Sequence, residues 1–371
     1  MIRVLNIISD TNIGGAGRSL LNYLACRDRE SFEAEVALPR GSALAKPIRD
    51  LGVPVREIGA MADKSLDRRA IRPLREAIRS ARPDLVHTHG SLSGRLAARL
   101  ERKSVVYTKH CAFPPRGLLA SPPGRLVNGV LDGLLSDGVL AIGPSAREIL
   151  TASGIPEKRI HVLLNGVAPI PAPTPEQRRA ARAAYGFTDG DFVLGILARV
   201  EEYKGHGILL DALKLLLEEG RPVRVLAAGE GAYLDALREK ASALPEGAVV
   251  FAGFVRDVEQ ALWAMDVQVN ASYESETSSL SLLEGMSMGL PAVVSDCGGN
   301  PSLIFHGENG LVFPNRDSGG LARCAARLMD EPETLERMKD RSGEIFRERF
   351  TGEIFANNVE NVYRDVLKGA K

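Results

Sequence analysis

The chain has 371 residues, 44% hydrophobic, 25% charged and 5% aromatic, a globular composition at a length that favours two domains over a single core. Net charge is zero but unevenly spread: residues 1–168 carry 25 Lys+Arg against 16 Asp+Glu, and residues 169–371 carry 22 against 31. The four cysteines form no CxxC pair and "MIRVLNIISD" lacks a cleavage pattern, so no zinc site, disulfide framework, secretory leader or spanning segment is expected, and the expected location is cytoplasmic.

Short β-branched runs at 2–9, 34–38, 84–88, 104–110, 138–142 and 160–165 are predicted as strands, with amphipathic helices between most of them. That alternation predicts a parallel sheet covered on both faces, the doubly wound α/β class. After the first strand, "SDTNIGGAGRSL" sets Gly14, Gly15 and Gly17 at a strand-to-helix turn, where backbone can approach an anion. The spacing is not G-x-G-x-x-G, and the second strand ends in Leu38-Pro39-Arg40, without an acid for a ribose. An NAD-dependent oxidoreductase or epimerase therefore stands only as the alternative enzyme class, and a plain tight turn as the alternative to any ligand.

Residues 64–82, "KSLDRRAIRPLREAIRSAR", carry seven basic and two acidic side chains, with Ile71, Leu74 and Ile78 at helical spacing. Such a helix either lies on an anionic membrane surface or is an ordinary solvated helix packed by its apolar stripe. The basic residues are not interleaved with aromatics, so nucleic acid is not expected as a partner. In "HTHG", alternation points His87 and His89 to one face, but no third ligand for a metal is visible. "TKHCAF" puts His110 at a strand end, where it would hydrogen-bond a sugar or exchange a proton.

"GVAPIPAPTPEQ" then carries proline at every second position from 169 to 175, which predicts a linker over 169–190. Beyond it strands are predicted at 191–200, 221–229, 247–254, 266–272, 290–296 and 310–313. Two such halves predict a cleft with ligand groups just after the strands. Arg199 and Lys204 follow the first of these strands and would converge on a diphosphate, unless Glu201 and Glu202 simply pair with them on the surface. "SYESETSSLSLLEGMSMGLP" runs from a strand exit into a helix starting at Ser279 or Leu280. Glu276 and Glu284 would accept hydroxyl hydrogen bonds on either side of a phosphate at that helix N-terminus. The competing reading makes Ser281 and Glu284 a capping box.

Together these residues resemble the family 4 retaining glycosyltransferases of GT-B architecture. The resemblance covers nearly the whole chain and rests on the E-x7-E pattern of Glu276 and Glu284, the Gly14-Gly15 loop, "NGV" at 165–167, Arg199 with Lys204, "AAGEG" at 227–231, and "GG" at 298–299 followed by "GENGLVF". It implies two Rossmann-like domains facing across a cleft: an acceptor domain at 1–168, a linker at 169–190, a nucleotide-sugar domain at 191–352, and a last helix within 353–371 crossing back to the first domain. It implies a retaining, metal-independent hexosyltransferase without cofactor, taking a nucleoside-diphosphate sugar, UDP-linked by family frequency, to a glycan or lipid-linked acceptor in envelope polysaccharide or lipopolysaccharide synthesis. By the same resemblance Arg199, Lys204 and the backbone near Ser278, Ser279 and Leu280 hold the diphosphate; Glu284 binds the ribose and Glu276 the transferred sugar. Gly229 and Gly231 admit the nucleobase, and Gly14, Gly15, His89 and His110 face sugar or acceptor. The chain departs from the family pattern at Thr277-Ser278-Ser279, where glycine and an aromatic are usual, and at Ser302, where a glutamate is usual. The second departure keeps a catalytically inactive sugar-binding homologue as a further alternative.

Overall fold

The computed structural model describes residues 1–111, 113–115 and 117–369, without the side chains of residues 118 and 119. It divides into two compact units, Met1–Val167 with Thr351–Lys371, and Ala168–Phe350.

Unit 1 holds seven strands: β1 Ile2–Ile8, β2 Phe32–Pro39, β3 Val55–Ile58, β4 Leu85–His89, β5 Ser104–Lys109, β6 Gly138–Ile142 and β7 Ile160–Leu163. They form one parallel sheet in the order β3-β2-β1-β4-β5-β6-β7. Its helices are α1 Gly15–Cys26, α2 Ala45–Asp50, α3 Arg68–Ala81, α4 Leu92–Leu100, α5 Pro122–Leu135 and α6 Pro144–Ala152. Continuous apolar runs make the central strands because both faces are covered. On one face α3 and α4 bury Leu74, Ile78, Ala97 and Ala98 against Leu5, Ile7, Val86 and Val105. The stripe at Ile71, Leu74 and Ile78 therefore packs α3, the helical part of residues 64–82, onto the sheet, with Arg68, Arg69, Arg72 and Arg79 outward.

Unit 2 opens with α7 Pro175–Ala184 and holds β8 Phe192–Leu197, α8 His206–Glu218, β9 Val223–Ala228, α9 Leu234–Ala241, β10 Val249–Gly253, α10 Val258–Trp263, β11 Val267–Asn270, α11 Leu280–Ser287, β12 Ala292–Ser295, β13 Gly310–Phe313, α12 Ser318–Asp330 and α13 Pro332–Arg349. Its six strands are parallel in the order β10-β9-β8-β11-β12-β13. Residues 169–190, expected as a linker, are built into this unit: Ile170, Ala181 and Phe187 are buried in one of its clusters. The run of prolines does not prevent a helix because Pro175 stands at its first position, where the missing N–H has no partner to lose, and Thr174 with Gln177 closes a capping box.

The chain leaves unit 1 at Val167 and returns at Thr351, which pair as a parallel bridge, with the Gly352 amide donating to the Val167 carbonyl at 2.9 Å. It ends in α14 Gly352–Gly369, which packs on α1 and buries Phe355, Val359, Val362 and Tyr363 on the sheet face opposite α3 and α4. Among the described residues, no helix is long and apolar enough to cross a membrane.

Candidate active site

In unit 2 the polar residues gather just after the strands. The chain leaves β8, passes Arg199, makes a short turn at Glu202–Lys204 and enters α8. Gly205 is at φ +77°, and a Cβ there would overlap the Ala271 carbonyl. Only glycine lets this turn lie so close to the exit of β11, the neighbouring strand. That approach brings Lys204 Nζ to 3.0 Å from Glu276 Oε2.

Glu276 is 9% exposed, and the same oxygen accepts from Asn270 Nδ2 at 3.2 Å and Ser272 Oγ at 3.1 Å. The Thr277 amide donates to Oε1 at 3.3 Å. Burial pulls this carboxyl upward, but the Lys204 charge and the three side-chain donors outweigh it and hold it below the usual range. A carboxylate so stabilised accepts hydrogen bonds and does not exchange protons near neutrality.

Ser279 caps α11, its Oγ accepting from the Leu282 amide. The helix runs from Leu280, so Glu284 lies in its second turn, and the capping box of Ser281 with Glu284 does not form. Buried Ser278 and half-buried Ser279 and Leu280 thus surround a helix start whose first amides lack intrahelical partners. Glu284 is also buried, at 9% exposure. The double glycine supports this loop: a Cβ at Gly298 or Gly299 would overlap the carbonyl of Glu276 or Thr277, and the Gly299 amide donates to Glu276 O at 3.0 Å.

Arg199 does not join Lys204. It is exposed, donates to Tyr203 Oη at 2.8 Å and lies 3.9 Å from Glu201. The surface-pair alternative therefore describes Arg199, while Lys204 takes a buried partner. Gly229 and Gly231, just after β9, sit where a Cβ would overlap the carbonyls of Ala198 and Val200, so packing against the segment after β8 already requires them.

In unit 1 Gly14 is the N-cap of α1 and Gly15 its first residue. Neither has positive φ, and a Cβ at either would meet nothing within 4 Å. The fold of this unit does not explain these glycines, whereas Gly17 packs against Leu44.

The histidines form a connected set at the ends of β4 and β5. His89 Nδ1 lies 3.0 Å from His110 Nε2, and His89 Nε2 lies 3.4 Å from Asn6 Oδ1. His87 bonds Tyr363 Oη through Nδ1 at 2.6 Å and Thr108 Oγ1 through Nε2 at 2.7 Å. Burial pushes His110 down to about 4, holds His87 near about 3 and takes His89 well below the usual value, the last two with help from neighbouring histidines. All three rings are neutral near pH 7 and act as hydrogen-bonding groups. Asn270 and Ser272 were missed by sequence reasoning, although a polar residue closing the run "DVQVN" is a usable signal; nothing in the sequence pairs His87 with Tyr363. No cluster of His, Cys, Asp or Glu suited to a metal ion occurs among the described residues.

The chain matches the family described as Glycosyltransferase Family 4 over residues 13–169 and that described as Glycosyl transferases group 1 over residues 191–331. It is 30% identical over 284 residues to EpsD of Bacillus subtilis (strain 168), named as a glycosyltransferase, covering 72% of this chain and 73% of that one. It is 27% identical over 341 residues to alpha-monoglucosyldiacylglycerol synthase of Streptococcus pneumoniae, covering 83% of this chain and 75% of that one. Anabaena Alr3699/HepE, solved in complex with UDP and glucose, superposes with a TM-score of 0.82 at 22% identity over 98% of this chain and 100% of that one. The chain belongs to the family 4 glycosyltransferases, has the GT-B fold and is an enzyme of that class.

Proposed function

We propose that this enzyme is a retaining, metal-independent hexosyltransferase that moves a sugar from a UDP-sugar to a glycan or lipid-linked acceptor in envelope polysaccharide or lipopolysaccharide synthesis. The observation that carries the reading is Glu276, held ionised by Lys204, Asn270 and Ser272 beside the start of α11. A fixed carboxylate suits sugar hydroxyls, and a helix start next to a lysine suits the departing diphosphate, where charge develops. Glu284, one turn further along α11, suits the ribose diol, and Arg199 would swing onto the phosphates from its exposed position. No enzymic nucleophile is needed if the diphosphate itself takes the acceptor proton during front-face attack. UDP is the favoured nucleotide because Alr3699/HepE was solved with UDP and with UDP-glucose. A lipid acceptor is favoured by the printed name of the streptococcal relative. The outward arginines of α3 support peripheral contact with the inner face of an anionic membrane, and loss of vesicle binding on reversing Arg68, Arg69 and Arg72 to Glu is the outcome that contact requires.

The test is incubation with a panel of nucleotide sugars, scoring released nucleoside diphosphate and the anomeric configuration of any product. Release of UDP from one UDP-sugar with retained configuration is expected. Release of a different nucleotide, or an inverted product, overturns the corresponding part of the proposal, and no release from any donor overturns the whole.

A further inference from the structure

Helix α5 is packed inside out. Its inner side is polar or has no side chain: Asp132, 3% exposed on its side chain, is paired with Arg95 at 3.3 Å and Arg159 at 3.2 Å. Asn128 Nδ2 donates to the Ser153 carbonyl at 2.7 Å, and a Cβ on Gly129 would overlap the Gly154 carbonyl. Its outer side carries Leu126, Val127, Val130, Leu131 and Leu134, between 49% and 72% exposed. At ~100° per residue these five side chains span an arc of about 140°, a continuous apolar stripe on a helix about 21 Å long. A surface helix ordinarily turns such a stripe inward. Here buried ion pairs hold the opposite face to the protein, and a contiguous apolar patch of this kind marks an interaction surface.

The charges around the stripe identify what covers it. On α5 the one acid is buried Asp132, and Arg125 is exposed. Exposed Phe113 precedes the helix, and α3, reached through α4 in the same layer, presents four exposed arginines against one exposed glutamate, Glu76. Residues 1–167 and 351–371 together hold 28 Lys+Arg (25 and 3) against 19 Asp+Glu (16 and 3). A second copy docking through this face about a two-fold axis would set its basic groups against themselves. An anionic bilayer accepts both components, apolar side chains below the headgroups and arginines among them. We propose that α5 is a membrane-docking helix that lies in the interface of an anionic lipid surface with Leu126, Val127, Val130, Leu131 and Leu134 inserted. This holds whatever sugar or acceptor the enzyme uses.

The experiment is co-sedimentation of the full chain with vesicles of equal parts phosphatidylglycerol and phosphatidylcholine, and with phosphatidylcholine alone. Binding to the mixed vesicles is expected, weaker by about tenfold or more on the neutral ones. Leu126→Glu/Leu131→Glu is expected to abolish it while the unfolding transition stays unchanged, since both side chains are exposed. Leu131→Trp, in a chain with one other tryptophan, is expected to shift its emission to the blue on adding mixed vesicles. Wild-type binding by the double variant, an unshifted emission, or equal binding to both vesicles overturns the proposal. So does a lipid-free dimer that the double variant dissociates, which would assign the stripe to a second copy of the chain.

Discussion

Lys204 and Glu276, 3.0 Å apart across the exits of adjacent strands β8 and β11, neutralise each other in a buried setting. Neither can be removed without leaving the other without its counter-charge, which costs roughly 3 kcal/mol. That lies within the stability of an ordinary domain, roughly 5–15 kcal/mol. Lys204→Ala and Glu276→Ala are therefore expected to fold, to melt lower, and to lose transfer by about 100-fold or more. The double variant Lys204→Met/Glu276→Leu is expected to regain stability but not activity, measured by denaturant unfolding alongside nucleotide release. Near-normal turnover in either single variant sinks the site assignment.

Gly15→Ala separates a ligand role from a folding role. A Cβ at this position meets nothing within 4 Å and the backbone is not in the left-handed region. Alanine at a helix start should then leave stability unchanged or raise it by up to ~1 kcal/mol. Loss of transfer in a variant whose melting temperature holds or rises is the expected pair of results; unaltered steady-state kinetics would remove Gly15 from the site.

Tyr363→Phe tests the buried link between α14 and the histidines. The hydroxyl is 2.6 Å from His87 Nδ1, and its loss strands a ring nitrogen with no access to water. A cost of about 1–3 kcal/mol is expected, read as a fall in the unfolding transition of unit 1. An unchanged transition would show that the bond contributes nothing.

Acid should loosen unit 1 more than unit 2. His87 and His110, near about 3 and about 4, and His89, lower still, stay neutral in the folded chain while unfolded histidine takes a proton below about 6.5. Their contribution is fully present above that value and falls as pH drops, on the order of 1.4 kcal/mol per pH unit for each. Unit 2 has a similar group in His206, pushed down to about 4 by burial and then by Lys204. Asp10 acts in the opposite sense, because burial and then Asp63 raise it to about 6, so the folded state gains its proton first. Denaturant unfolding at pH 7 and pH 5 should show the larger loss in unit 1, and equal stability at both values would contradict it.

Most of the strands were legible because a parallel sheet buried on both faces writes itself as unbroken apolar runs. β3 was not, since "VREI" is a short edge strand with two charges in four residues. Alternation correctly placed His87 and His89 on one side, where their ring centroids lie 4.3 Å apart. Glu276 and Lys204 were named from motif and position, yet their direct contact depends on Gly205 seating one turn against another strand's exit, a relation between distant residues. Tyr363, 276 residues from His87, was hidden for the same reason; Asn270 and Ser272 lie six and four residues before Glu276 and were within reach of a local reading. The apolar outer face of α5 escaped because helical spacing shows that a stripe exists but not which way it turns.

The pairing of Val167 with Thr351 bears on how this chain is made. The sheet of unit 1 is encoded before unit 2, but the face carrying Leu20, Leu24 and Phe32 is covered by Phe355, Val359, Val362 and Tyr363, which are encoded after it. Domains ordinarily finish in the order in which they leave the ribosome. Here the contiguous stretch Ala168–Phe350 is complete while the earlier-born part still waits for its final helix. A ribosome stalled before residue 352, or a nonsense mutation between the codons of Phe350 and Phe355, would thus spare the second unit and leave the first, long since translated, with an open core.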